Sequence, residues 1–103
     1  MSINNLRKEV ELVLRHIRVL KVLREKGPLG IRRISAETGI PKHQVRYSLR
    51  VLERAGALNP TSRGARLTDG VDSYVEDLVV NLERLETQLT ELVELARELR
   101  VTD

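Results

Sequence analysis

A mainly α-helical fold, in which two long helices flank a compact middle of two short helices and a small β-hairpin, is predicted by three observations. Apolar residues recur at alternating steps of three and four near both ends of the 103-residue chain, the spacing that lines one face of a helix. All six glycines and all three prolines fall between residues 27 and 70, which confines the turns to the middle. Phe and Trp are absent and Tyr occurs only at 47 and 74, so the aromatic and β-branched alternation of an extensive sheet is missing. With 41% hydrophobic and 32% charged residues, the chain can build an aliphatic core and lacks the composition of a disordered segment.

The elements follow in order. Residues 2–26 read as one helix, capped by Ser2 and stopped by Gly27 and Pro28. Its seam is Ile3, Leu6, Val10, Val13, Ile17 and Leu20, widened by Leu14 and Leu23. Residues 31–38 form a short helix closed by Gly39, a residue free to adopt the left-handed backbone of a helix end. Pro41 is placed as the first residue of the next helix, where its missing N–H costs nothing. That helix runs to Ala55 and ends at Gly56, with Val45, Leu49 and Leu52 as its apolar face. Two short strands, 57–59 and 65–68, enclose a turn at 60–64. Thr68 or Asp69 then caps a final helix over about residues 70–101, whose early Asp72, Glu76 and Asp77 complement the helix dipole. Its seam, Val71, Val75, Leu78, Leu82, Leu85, Leu89, Leu92, Ala96 and Leu99, never breaks step. The helix would be roughly 45–50 Å long.

Charge is distributed unevenly. Residues 15–66 carry thirteen Lys and Arg against Glu25, Glu37 and Glu53, a local charge of +10. Residues 67–103 carry three Arg against ten carboxylates, −7, and residues 1–14 are neutral. A basic middle beside an acidic tail suits a chain whose middle meets a polyanion. Other classes fall away. Without Cys there are no disulfides, thiolate metal sites or cysteine nucleophiles. The N-terminus has no apolar signal region and no stretch is apolar enough for a membrane span, so a cytoplasmic protein with no membrane partner is expected. His16 and His43 fall on different elements, the carboxylates line helix surfaces, and no glycine-rich phosphate loop is present, so neither an enzyme nor a cofactor or metal is expected.

Helix, short helix, glycine turn, helix, hairpin is the order of a winged helix-turn-helix. Residues 34–40 (ISAETGI), 45–58 (VRYSLRVLERAGAL) and 67–70 (LTDG) resemble the bacterial and archaeal winged-helix transcriptional regulators of the ArsR, MarR and PadR type. The resemblance covers about two-fifths of the chain. The sequence departs from these families in its short wing and in having Pro41 where they often carry a Ser or Thr cap. It implies a duplex-DNA-binding regulator whose recognition helix, about 41–55, enters the major groove. The thiolate metal sensing of ArsR-type relatives has no residues here to perform it. A small-molecule effector is compatible with the fold but not indicated, since aromatic side chains to line a pocket are nearly absent.

If Val45, Leu49 and Leu52 face inward, His43, Arg46, Tyr47 and Arg50 share the outward stripe through i, i+3 and i+4 spacing. His43, Gln44, Arg46 and Tyr47 are the candidates for base edges, where Arg suits guanine and Gln suits adenine. Lys42, Arg50, Arg32, Arg33, Arg63 and Arg66 are the candidates for phosphates. The plainer reading of all ten is a solvated surface, and for Tyr47 it is a ring packed along its own helix.

The two seams predict a homodimer. A helix as long as the last one has no partner of its length within so small a domain, and Val79 and Val93 widen its seam toward a bundle. Leu6, Val10 and Val13 in the first helix, with Val75, Leu78, Leu82, Leu85, Leu89, Leu92 and Leu99 in the coiled-coil-like last one, are the expected interface. Residues 1–68 then form the DNA-binding domain and 69–103 the dimerisation helix. Two further readings compete: a winged-helix scaffold module that binds protein rather than DNA, and an RNA- or chromatin-type binder of low sequence specificity.

Overall fold

A computed structural model describes residues 2–100 of the chain. It falls into two compact units with the boundary after Asp72. The first contains three helices and a hairpin. Helix α1 (Ile3–Lys26) opens at Ser2, whose hydroxyl accepts from the Asn5 N–H at 3.3 Å, and closes at Gly27, whose N–H bonds the Leu23 carbonyl at 3.0 Å. Both ends lie where the sequence puts them. The buried face does not. Instead of the predicted seam, α1 buries His16, Val19, Leu20, Val22 and Leu23. This face is rotated away from the seam and shares Leu20 and Leu23 with the apolar set, while Ile3, Val10 and Leu14 stay exposed.

Helix α2 (Ile31–Thr38) ends at Gly39 in the left-handed conformation, φ 75°, with its N–H on the Ser35 carbonyl. The turn that follows is fastened by side chains. The Ser35 hydroxyl donates to the Ile40 carbonyl at 2.6 Å, and Thr38 Oγ1 accepts from the Ile40 N–H at 3.2 Å. Helix α3 (Lys42–Arg54) begins one residue later than predicted. Pro41 is the N-cap, with ψ 145°. Its ring fixes φ near −65° but leaves ψ free, so proline serves equally well in an extended cap.

Strands β1 (Leu58–Thr61) and β2 (Gly64–Leu67) pair antiparallel, Leu58 opposite Leu67 and Thr61 opposite Gly64. The first strand is therefore longer than predicted, the second is shifted by one residue at the same length, and the turn is shorter, because Thr61 closes the turn itself. Its hydroxyl donates to the Gly64 carbonyl and accepts from the Arg63 N–H. On the other side of β2, Ala65 exchanges two backbone hydrogen bonds with Leu29 (2.8 and 3.2 Å). Ala65 thus spends its N–H and carbonyl away from β1, which makes its pairing with Pro60 a non-hydrogen-bonded one. A proline is tolerated there because no N–H is required.

Val19, Ile34, Val45, Leu52, Ala57 and Leu58 form the most deeply buried part of the core, an aliphatic cluster drawn from every element of the first unit except β2. Behind it, the Thr68 hydroxyl donates to the Gly56 carbonyl and accepts from the Gly70 N–H, which sets the exit from the wing.

Helix α4 (Val71–Glu98) leaves the first unit at Asp72 and runs through the second. Its helical backbone stops short of the predicted end. Leu99 and Arg100 make i→i−3 bonds to Ala96 and Arg97, the tightening usual where the last carbonyls have run out of partners. Leu99, the last position of the expected seam, follows the end of the helix in this tightened turn and is 83% exposed. The predicted end at residue 101 lies outside the described residues. Among these, no helix is long and apolar enough to cross a membrane.

Gly64 has φ 110°, and a Cβ there would be driven into the Leu29 carbonyl and to within 2.5 Å of Gly30 N. Gly64→Ala should therefore cost about 2–3 kcal/mol. The check is a chemical denaturation curve beside that of Gly39→Ala, which has the strained backbone but open space around it and should lose less.

Candidate nucleic-acid interface

Helix α3 supplies the candidate reading surface, and its packing decides which residues point outward. Val45, Ser48 and Leu52 are buried and Leu49 is half-buried. Ser48 therefore stands at the centre of a face for which sequence spacing had nominated Leu49. The outward stripe is as expected: Lys42, His43, Arg46, Tyr47 and Arg50 are all exposed, and Arg54 extends it by one more turn. Gln44 is half-buried and sits at the margin of this face, on the flank opposite Arg46. Tyr47 is 47% exposed, and its ring stacks against His16 of α1 with centroids 6.3 Å apart. One ring face is committed to α1.

Arg63 stands exposed in the two-residue turn at the tip of the wing. Arg66 is exposed on β2 opposite Asn59, on the strand face away from buried Leu58 and Ala65. Arg32 and Arg33 are exposed on α2.

The cations differ in what already neutralises them. Lys21 pairs with Glu25, Arg24 with Asp72, and Lys26 and Arg33 share Glu37. Arg33, a candidate phosphate contact, thus spends its Nε on a carboxylate 3.1 Å away. Among the described residues, no carboxylate lies within ion-pair distance of Arg32, Lys42, Arg46, Arg50, Arg54, Arg63 or Arg66. Uncompensated positive charge therefore lies along α3 and on the wing, and at Arg15 and Arg18 of α1 as well. Such charge is available to displace counterions from a phosphate backbone.

Beneath this surface lies a pair that spacing alone did not disclose as a unit. His16 Nδ1 and Ser48 Oγ form a buried hydrogen bond of 2.7 Å between α1 and α3. A signal was present: His16 stands at i, i+3, i+4 and i+7 with Val19, Leu20 and Leu23, and Ser48 stands between Val45 and Leu52. Two polar residues facing inward on neighbouring helices need partners, and each is the other's. Burial pushes the His16 imidazole below its ordinary value near 6.5, with neighbouring Arg15 acting in the same direction. Glu37 is held below the usual carboxylate range, first by its hydrogen bond from Arg33 and then by Lys26. No cluster of His, Asp or Glu able to hold a metal occurs among the described residues.

Because folding lowers the His16 pKa, the unfolded chain takes up a proton near pH 6.5 while the folded chain resists. This stability is complete above that pH and is lost as pH falls toward the folded value. Glu37 contributes in a lower window, below its ordinary 4.5. Melting temperature should hold steady down to about pH 7 and fall in the window that opens below the ordinary imidazole value near 6.5. His16→Leu should flatten the decline in that window while leaving the more acidic one.

Residues 12–62 match the family model of the IclR helix-turn-helix domain. The match runs from the middle of α1 to the turn of the wing, and it identifies a winged helix-turn-helix of the kind carried by DNA-binding transcription regulators, with DNA as partner. It supports the IclR type and not the ArsR, MarR or PadR type expected from the sequence. No curated protein matches the chain.

Proposed function

We propose that this DNA-binding regulator is a sequence-specific homodimer, with α3 lying in the major groove of duplex DNA and α1 and α4 carrying the assembly. The observation that supports it best is the stripe of α3. Its inner face is consumed by the core, while its outer face presents His43, Arg46, Tyr47 and Arg50, and no carboxylate among the described residues pairs with either arginine. His43 and Arg46 are assigned to base edges, with Gln44 reaching from the margin and Tyr47 contributing from its stacked position. Arg32, Lys42, Arg50, Arg63 and Arg66 are assigned to phosphates, and Arg33 contributes once it is released from Glu37.

Assembly is assigned to the apolar seams. Val10 of α1 and Leu82, Leu92 and Val93 of α4 are exposed, and a row of large aliphatic side chains in water favours a second copy. Leu6 and Val13 extend this row along α1, and Val75, Leu78, Leu85 and Leu89 extend it along α4. On this reading residues 1–68 read DNA and 69–103 hold the dimer together.

Two measurements test the division. Arg46→Ala should cost on the order of 1–3 kcal/mol on the preferred duplex and much less on random DNA. Arg63→Ala should weaken both equally and reduce the salt dependence by about one unit per subunit. Equal loss on both duplexes for Arg46→Ala would remove α3 as the reader. In light scattering the parent should run as a dimer, whereas Leu85→Asp with Leu92→Asp should be monomeric or unfolded, because unpaired carboxylates are costly in an apolar interface. A monomeric parent would sink the homodimer.

A further inference from the structure

Beneath the groove-facing stripe, the buried pair of His16 and Ser48 joins the long α1 to the inner face of α3. Its imidazole does two things at once. It bonds Ser48 Oγ at 2.7 Å on the inner face of α3, and it stacks on Tyr47, the next residue outward, with the rings 28° from parallel. Ser48 is fully buried and His16 nearly so.

The neighbours of this pair cannot supply the same constraint. Val45 and Leu52, one turn to either side of Ser48, are fully buried aliphatic residues. Apolar burial is non-directional and, although close packing resists a roll of the helix, it is indifferent to the angle at which these side chains meet their neighbours. A hydrogen bond is not, because it weakens steeply with angle and beyond about 3.2 Å. Side-chain tips stand roughly 5–6 Å from a helix axis, so a roll of about 15° shifts them by about 1.5 Å. That displacement breaks a bidentate contact to a base edge, whereas a flexible arginine still finds a phosphate.

We propose that His16 is a positioning residue for base reading: through Ser48 and Tyr47 it fixes the roll of α3, and so determines which outward side chains meet the base edges. The proposal rests on the assignment of α3 as the reader. It also makes α1 a partner in specificity, although no residue of α1 is assigned to the DNA.

The test uses the full chain and a duplex selected by the parent from a random pool. The ratio of affinities for selected and random duplexes is read at fixed salt for the parent, His16→Leu, Ser48→Ala and the double variant. Removing one partner leaves the other buried and unsatisfied, whereas removing both replaces the pair by apolar contact and restores much of the stability. The double variant should therefore melt near the parent, bind random DNA with unchanged affinity and salt slope, and still lose about tenfold in the ratio. Recovery of the ratio together with the melting temperature would show a merely structural pair and overturn the proposal. So would an equal loss on both duplexes. If the double variant does not fold, Ser48→Ala is read in its place, below its lowered melting temperature, and a ratio equal to the parent's or an equal loss on both duplexes then overturns the proposal. A parent without preference among duplexes would defeat α3 as the reader, and this proposal with it. A discriminating parent whose folded variants discriminate equally well would defeat this proposal alone.

Discussion

A histidine and a serine are the two buried polar side chains among the described residues, and they sit opposite each other between the longest helix of the first unit and the helix that faces outward. Apart from Tyr47, which stacks on the histidine, the core around them is Val, Leu, Ile and Ala. Such a core is held by burial of apolar area, which is strong but has little sense of direction. The orientation of the elements therefore rests on a few directional bonds. His16 to Ser48 orients α3 against α1, Leu29 with Ala65 anchors the wing to the strand edge before α2, and Thr68 to Gly56 sets the exit toward α4. An unmet partner in the first of these would leave a desolvated imidazole or hydroxyl, so the arrangement that satisfies both is strongly preferred.

The sequence was most legible where backbone chemistry is local. Ser2, Gly27 and Gly39 mark helix ends within a residue, because capping and left-handed backbone depend on neighbours a few positions away. The order of helices and hairpin followed from these stops, and so did the outward stripe of α3. What was not legible depends on tertiary contact. Spacing offered two apolar faces on α1 and could not say which one the domain would bury. On α3 it chose Leu49 over Ser48, since a serine is taken for a surface residue unless its buried partner is known. The turn of the wing shrank to two residues because Thr61 bonds across it, a side-chain preference that composition does not reveal. The family comparison showed the same limit: motifs that many winged helices share indicated the fold, whereas the likeness to the IclR type rests on the whole segment 12–62.

Two-facedness is the organising property of α1. Its C-terminal half gives His16, Val19, Leu20 and Leu23 to the core, while Val10 and Leu14 further back remain in water. The cations follow a similar division. Lys21, Arg24 and Lys26 of α1 are matched by carboxylates of the same unit, at Glu25, Asp72 and Glu37, whereas among the described residues the cations of α3 and the wing are left unmatched. A net charge of +3 for the whole chain thus conceals a surface on which neutral and strongly positive regions are separated by only a helix width.

Pro60 has a consequence beyond its own pairing. Strand β1 is the outer strand of the hairpin, and an outer strand normally offers a row of N–H and carbonyl groups that another extended chain can zip onto. Because Ala65 directs its backbone groups toward Leu29, the corresponding groups of Pro60 point to the open side, where the donor is missing. The wing can thus stand out from the domain, short and exposed, without serving as a template for strand addition. A thin two-stranded blade meant to approach another molecule is kept from polymerising with its own kind by one ring closure.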